Sequence, residues 1–394
     1  MNFWLDRGAC GYRMDVINLI SKDQRFPDAE PVKGSDIKYH PGTKYYVNGP
    51  RMHEYIQEIN RKVLTKHGAV TVGEMPCVND INEIIRTVGK KSGELNMIFI
   101  FDIVDIDNAL GLGRMTWRDW TARDISQIIT KWQKAMIEHD GWNSVFVENH
   151  DNPRSVSRYC DDSDAYREHG AKLLALMQIT QSGTLFVYQG EELGMRNVPK
   201  SWDIDAEYKD IESVNFWKES KALHSADPER LAEARRILQK KARDHARTPM
   251  QWDATPNAGF CKEGIEPWMR VNDDYKSVNA EKQVATPDST WHFWQRMLAE
   301  RKKDADIYVY GDFEGVETES DDIFAYVRTG KKGGKRFVVL NLTGKSVKWD
   351  IPGNVKVQEW TCGNYLHLEK SDEKVLKGAL DLRPWEGVLA RCED

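Results

Sequence analysis

Three stretches of this sequence end in an acid flanked by groups that can tune it: Arg13-Met14-Asp15, Gly73-Glu74 and Asn149-His150-Asp151. A fourth, Phe101-Asp102, has no such company. Carboxylates are rarely buried without a partner, so acids that close apolar runs need a reason. One reason is cleavage of a glycosidic bond with retention of configuration. That reaction takes an ionised carboxylate as nucleophile and a protonated carboxylic acid as proton donor, the two roughly 5–5.5 Å apart. Strand ends lie roughly 4.8 Å from their neighbours, so carboxyls on adjacent strands meet the spacing. Asp15 suits the nucleophile, because Arg13 lies two residues earlier, on the same face of a strand, and favours the charged form. Glu74 suits the acid/base, since it follows Gly73 and precedes Met75-Pro76, and an apolar wall beside it would raise its pKa toward the range useful for donation. Asp151, next to His150, would stabilise positive charge at the reacting carbon and bind sugar hydroxyls.

Taken singly, each group has a plainer explanation. Asp15 could cap a strand end, Glu74 could form a loop salt bridge, and His150-Asp151 could be a structural hydrogen-bonding pair. Asp102 is left with such an explanation. Three such acids on one rim, one of them beside an arginine, favour chemistry.

The elements that must position them alternate. Short β-branched or apolar runs at 11–17, 69–74, 96–103, 144–149 and 184–188 read as strands, with helical periodicity near 53–66, 80–88, 118–138, 165–181 and 290–303. Such alternation calls for a parallel sheet with right-handed crossovers, whose reactive groups collect where strands end. A long insertion rich in Trp, Pro and charge occupies about 190–285. Beyond residue 304 candidate strands crowd together at 306–310, 323–327, 337–342, 355–360 and 387–391, separated by turns with Gly, Asp and Asn. The expected division is therefore residues 1–304 as an α/β barrel portion and 305–394 as an antiparallel β-domain.

Composition narrows the function. The 394 residues carry 56 Lys+Arg against 62 Asp+Glu, a net charge of −6, which disfavours a nucleic-acid partner. The one basic run, 331–336, reads as a Gly-rich turn. No apolar run approaches the length that spans a bilayer, so no membrane partner is expected. Six scattered cysteines without a C-x-x-C pair indicate neither zinc nor a disulfide scaffold and suit a reducing compartment. Fourteen tryptophans match the tyrosines in number, and Trp202, Trp252 and Trp268 fall in the insertion, near the rim where a sugar would bind. Asn341-Leu342-Thr343 spells a glycosylation sequon in or beside a strand, where a glycan is not expected.

Three segments, Gly11-Tyr12-Arg13-Met14-Asp15-Val16-Ile17-Asn18, Val72-Gly73-Glu74-Met75 and Phe146 to Arg154, resemble three regions of the α-amylase superfamily of glycoside hydrolases (family 13) in type, order and spacing. Tyr188 to Met195 and Ala246 to Trp252 resemble stretches of its α-glucosidase branch, the oligo-1,6-glucosidases, isomaltases and fungal maltases. The resemblance implies a (β/α)8 TIM barrel followed by a C-terminal antiparallel β-sandwich. It implies a retaining enzyme acting on α-linked glucosides, with Asp15 as nucleophile, Glu74 as acid/base and Asp151 as transition-state stabiliser. Arg13, His150 and Arg247 correspond to ligands of sugar hydroxyls. Val16 corresponds to a position lining the leaving-sugar pocket, where valine goes with α-1,6 and threonine with α-1,4 preference. The implied substrate is a small oligosaccharide such as isomaltose or maltose.

The resemblance also carries a departure. Only five strands precede the β-domain, and Met1-Asn2-Phe3-Trp4-Leu5 corresponds to the middle of the helix before the nucleophile strand. The expectation is an N-terminally truncated barrel of about five βα units, impaired on its own. No cofactor is expected, the family's calcium loop corresponding to a part absent from this sequence. The cytoplasm is expected as location, conditional on no leader upstream. Two other readings stand beside hydrolysis: a sucrose isomerase-type transglucosidase on the same scaffold, and a non-catalytic interaction protein of the same fold, like the amino-acid-transporter heavy chains. The latter have lost catalytic carboxylates that this sequence keeps.

Overall fold

A computed structural model describes residues 1–33, 39–109, 113–365 and 379–393. The chain packs as two compact units, one of Met1–Trp120, Gln127–Val145 and Ser182–Thr184, the other of Thr121–Ser126, Phe146–Gln181 and Leu185–Asp394.

In the first unit, β1 (Gly11–Met14), β2 (Val70–Met75) and β3 (Met97–Ile100) form a parallel sheet in that order. Met14 pairs with Gly73, and Glu74 with Phe99. The crossovers are helical. Helix α1 (Met52–Ile59) runs on through a π-helical turn at Asn60–Leu64, and α2 (Ile81–Val88) starts where the Asp80 carboxylate accepts the Asn82 N–H at 2.8 Å. Helix α3 (Ala122–Glu138) supplies Trp132 and Met136 to a core that also holds Ile17, Met52, Ile56, Met75, Ile84 and Ile98.

The strand expected over 11–17 stops at Met14. Val16 adopts φ 32°, ψ 48°, a left-handed conformation, and a 3₁₀ turn follows at Ile17–Leu19. Continuing the ladder would have sent Ile17 and Asn18 along the sheet. The turn instead buries both, and Asn18 Nδ2 donates to the Pro76 carbonyl at 2.9 Å. Two other expected strands shrink to β4 (Ser144–Val145) and β5 (Thr184–Leu185). Apolar burial outlasts the ladder there: Phe146 and Val147 are buried past the end of β4.

In the second unit, α4 (Arg167–Ile179) is buried along Gly170–Ile179. The insertion holds α5 (Ile211–Leu223), capped by Asp210, and α6 (Pro228–Lys241), capped by Asp227 with proline at its first position. Helix α7 (Thr290–Lys303) follows. The strand expected over 306–310 is instead a helical turn, α8 (Ala305–Tyr308), a correction to the sequence reading. Alternation of Ile307, Tyr308, Val309 and Tyr310 imitates a strand, but burying both Ile307 and Tyr308 beneath the end of α7 needs helical spacing.

Strands β6 (Asp312–Gly315), β7 (Ile323–Thr329), β8 (Lys335–Asn341), β9 (Val347–Asp350), β10 (Val357–Gly363), β11 (Ala379–Leu382) and β12 (Gly387–Cys392) complete the chain. Five form an antiparallel sheet ordered β10-β12-β8-β7-β6, and β11-β9 pair separately. Trp349, Leu380 and Leu382 of the pair share a core with Ile323, Phe337, Val339 and Val388 of the sheet. The basic run at 331–336 contains the turn between β7 and β8, as expected. Asn341 is buried, its Nδ2 donating to the Lys345 and Arg383 carbonyls at 2.7 and 2.8 Å, so the sequon is structural.

Two buried arginines, one on this sheet and one on α7, hold the end of α4. Arg328 of β7 donates to the carbonyls of Thr180 at 2.5 Å, Ile307 and Gly311 at 2.9 Å, and Asp312 at 3.0 Å. Arg301 of α7 reaches Ile179 and Gln181 at 2.5 and 2.6 Å. The last carbonyls of a helix lack intrahelical donors and carry partial negative charge, so cations there are doubly favoured. Burial brings both guanidinium pKa values down to about 10, which leaves them charged at neutral pH. Arg328→Met preserves bulk but abandons these acceptors, so it should lower stability by about 3 kcal/mol or more. A urea midpoint unchanged from wild type would contradict the role assigned to Arg328.

Candidate active site

The Arg13 guanidinium, at the end of β1, grips two carboxyls. Nη1 lies 2.6 Å from Asp15, and Nη2 forms an ion pair with Glu74 of the neighbouring strand β2. The strand register makes this possible, because Arg13 stands beside Val72 and Glu74 lies two residues further, on the same face. Gly73 leaves room for the core beneath: a Cβ there would come within 2.8 Å of both Ile17 Cγ2 and Leu95 Cδ1.

The two acids live in different surroundings. The Asp15 side chain is 72% exposed and that of Glu74 only 7%. Burial raises the Glu74 pKa, opposed by the positive charge of Arg13 and by a hydrogen bond from the Val16 backbone N–H, and helped by the negative charge of Asp15. A hydrated, arginine-bound carboxylate beside a desolvated carboxyl is an arrangement that divides nucleophile from proton donor.

In the second unit, Asp151 sits in a turn whose Asn149 Oδ1 accepts the Asp151 N–H at 2.9 Å and the Asn152 amide at 2.8 Å. Arg247 reaches it with Nη2 at 2.6 Å, while its Nε donates to the His150 carbonyl at 2.9 Å and its Nη1 to Asp210 at 2.6 Å. His150 Nε2 lies 3.4 Å from Asp151, and Arg243 approaches the same carboxylate at 3.4 Å. Sequence reasoning missed Arg243, Asp210 and, behind them, Asp244. Asp244 accepts the backbone N–H groups of Lys209 and Asp210 at 2.5 and 2.9 Å and the Ser213 hydroxyl at 2.7 Å, so it fixes Asp210 and through it Arg247. The Arg-x-x-x-Arg spacing of 243 and 247 was the available signal for Arg243. Nothing in the sequence marked Asp210.

His245 keeps the segment that carries Arg243 and Arg247 in place. It is fully buried, accepts the Val198 N–H on Nδ1 at 3.3 Å and donates from Nε2 to the Leu238 carbonyl at 3.0 Å, a neutral tautomer whose pKa burial presses down to about 4.

The turn carrying His150 and Asp151 is clasped from below by a buried ion pair, Arg154 Nη1 to Glu148 at 2.7 Å, with the Ser155 N–H on the other Glu148 oxygen at 2.7 Å. The Gln189 carbonyl accepts from the same Arg154 nitrogen at 2.7 Å. Gly190, at φ 92°, must lack a side chain, since a Cβ would meet Met195 Sδ at 2.4 Å. The stretch from Tyr188 to Met195 is therefore scaffold. Asp102 is structural as well, accepting the Trp132 indole N–H at 2.8 Å. Of the three tryptophans placed near the rim, Trp202 is buried, whereas Trp252 and Trp268 are exposed.

Residues 1–311 match the family described as alpha amylase, catalytic domain. The chain is 44% identical over 393 residues to an alpha-glucosidase of Schizosaccharomyces pombe, covering 99% of this chain and 66% of that protein. It is 41% identical over 389 residues to an oligo-1,6-glucosidase of Parageobacillus thermoglucosidasius, covering 98% and 66%. Among solved structures it is similar to trehalose-6-phosphate hydrolase of Bacillus licheniformis, with TM-score 0.85 and 36% identity over 100% of this chain and 67% of that one. It is also similar to isomaltulose synthase of Erwinia rhapontici NX5, with TM-score 0.88, 32% identity and the same coverage. The chain thus spans about two thirds of the length of these curated relatives.

Because burial lifts the Glu74 pKa, folding favours its protonated form. That contribution is fully present below the ordinary glutamate pKa and is lost as pH rises through the folded value. Glu74→Gln imitates the protonated form, so the variant should gain stability relative to wild type over the pH range that begins at the ordinary glutamate pKa and rises from there. Thermal melts across that range measure the gap. A gap that stays flat or closes with rising pH would remove burial as the dominant influence.

Proposed function

The chain belongs to the alpha-amylase family, and from that premise we propose that it works as a retaining α-glucosidase, releasing terminal glucose from α-1,6- or α-1,4-linked oligosaccharides such as isomaltose and maltose. It has the family's catalytic-domain fold, a TIM barrel followed by an antiparallel sheet. In this reading residues 1–304 form the catalytic portion, 305–394 form the β-domain, and the cytoplasm is the compartment. No helix among the described residues is long and apolar enough to cross a membrane.

The observation that carries the proposal is the Arg13 fork joining an exposed Asp15 to a buried Glu74 across two adjacent parallel strands. Glu74, protonated, donates to the glycosidic oxygen as the bond to the anomeric carbon breaks. Asp15 attacks that carbon and forms a glucosyl ester. The ester removes the negative charge of Asp15, one of the influences that raise the Glu74 pKa, while Arg13 remains. Glu74 is therefore a better carboxylate at the moment it must accept a proton from water. The water oxygen then takes the anomeric carbon, and Asp15 leaves as a carboxylate. Asp151 supports positive charge at the anomeric carbon, and Arg13, His150 and Arg247 bind hydroxyls.

The isomaltulose synthases among the solved relatives keep a transglucosidase as the second reading. The curated relatives' names favour hydrolysis. Product analysis on sucrose separates the two.

Asp15→Ala should abolish release of nitrophenol from a nitrophenyl α-glucoside, and residual turnover near wild type would refute the nucleophile assignment. Val16→Thr should move the ratio of kcat/KM for isomaltose over maltose toward maltose by a factor of about 5 to 10, the scale one pocket side chain commands. A ratio unmoved by the exchange would take Val16 out of linkage selection.

A further inference from the structure

Three charged side chains of the first unit, none of them part of the candidate site, meet in one cluster. His53 on α1 is held between two glutamates. Its Nδ1 lies 2.9 and 3.0 Å from the two carboxylate oxygens of Glu94, in the segment before β3, and its Nε2 lies 3.1 Å from Glu83 of α2. The His53 side chain is 11% exposed, that of Glu94 not at all and that of Glu83 35%. We propose that His53 is a positioning residue for Glu74: its imidazolium clamps α1 and α2 onto the segment that seats Gly73 and Glu74, and loss of the ring proton loosens that seat. The role given to Glu74 rests on the glucosidase reading, whereas the clamp stands on geometry.

Both ring nitrogens must donate. A neutral imidazole has one N–H and one lone pair, and an ionised carboxylate only accepts, so a ring with a carboxylate on each nitrogen carries two protons and a positive charge. The glutamates have the partners of anions: Gln57 Nε2 donates to Glu94 at 3.0 Å, and Asn48 Nδ2 to Glu83 at 3.0 Å. The charged groups acting on the ring are Glu94, from the segment before β3, and Glu83 and Arg86, from α2. On α1 itself Arg51 pairs with Glu54 at 2.6 Å. Burial by itself would lower the pKa of the ring. The hydrogen bonds to Glu94 and Glu83 outweigh burial and the opposing charge of Arg86, and they raise the pKa above the ordinary histidine value. A neutral ring would leave one carboxylate without its donor. For Glu94 that is a buried charge with no compensation and no access to water.

The clamp reaches Glu74 through the residues that follow Glu94. The Glu94 carbonyl accepts Asn60 Nδ2 at 2.7 Å, from the π-helical turn that continues α1, and the Leu95 N–H donates to the Thr87 carbonyl of α2 at 3.0 Å. Asn96 is laced to β2. Its Oδ1 accepts the Thr71 N–H at 2.8 Å, and its own N–H donates to Thr71 Oγ1 at 2.9 Å. Between these ties Leu95 is buried against Gly73, the neighbour of Glu74. A shift of this segment therefore moves the backbone that carries Glu74, and a small misplacement of a proton donor is costly in rate.

The test compares the whole chain with His53→Gln, which keeps a hydrogen-bonding side chain and carries no charge at any pH. Wild type should melt above the variant by a margin that is fully present below the ordinary histidine pKa. It is lost as pH rises through the folded value, because a raised folded pKa means that folding binds the proton. On a nitrophenyl α-glucoside below that ordinary pKa, kcat should fall about fivefold in the variant with KM little changed, and the two kcat values should converge as pH rises. A margin that stays level with pH overturns the imidazolium clamp, and equal kcat at every pH overturns the positioning role. Should His53→Gln fail to fold, Glu83→Gln takes its place. Removal of one of the two partners should move the fall in melting temperature to lower pH, and a profile coincident with wild type overturns the clamp. Should wild type hydrolyse no glucoside, the glucosidase reading fails, and melting of His53→Gln, Glu74→Gln and the double variant judges the positioning by itself. Non-additive effects support it, and additive ones overturn it.

Discussion

One guanidinium holds the candidate chemistry of the first unit together. Arg13 can serve Asp15 and Glu74 at once only because β1 and β2 run parallel in a single register. The left-handed Val16 follows from the same demand. A β-branched residue in that conformation costs of order 1–3 kcal/mol, and here the turn exposes Asp15 while giving Glu74 a backbone donor. Strain, register and charge placement are thus three aspects of one constraint. The carboxyls must stand at neighbouring strand ends in opposite states of hydration.

The second unit solves a related problem with more charges. Asp151 is shared between Arg247 and Arg243, Arg247 between Asp151 and Asp210, and Asp210 is fixed by N–H donation to Asp244. Each ion is compensated by a partner that has its own support, which keeps partly buried charge tolerable. Beneath it the Glu148–Arg154 pair and the neutral His245 set the backbone of the two segments that carry Asp151 and Arg247. Rigidity is supplied from the interior, while the side chains of Asp151 and Arg247 stay partly open to solvent.

Legibility in the sequence followed the range of the signal. Arg13, Asp15 and Glu74 were readable because strand period and strand ends are local, and parallel alternation placed their strands side by side. Asp210 and Asp244 were not, since their partners lie 31 to 37 residues away across an insertion without a motif. Helices showed clearly through their 3.6 period, including α2 and α7. The C-terminal antiparallel sheet was legible but its members were partly misread: β6, β9 and β11 are four residues each, too short to display alternation, and α8 wore the composition of a strand. Trp202 illustrates the limit of composition, for it is buried beneath Arg270 while Trp268 stands open. Arg328 has no signal in the sequence, since only tertiary packing gives it a helix end to satisfy.

That last pairing has a temporal side. The Thr180 carbonyl waits for a donor 148 residues further along the chain. At synthesis rates of about 5–20 residues per second, the C-terminal end of α4 is made roughly 7–30 seconds before Arg328. During that interval a strongly apolar helix has no sheet to rest on and its terminal carbonyls have only water. The end of this helix is therefore completed late, when the seventh strand arrives.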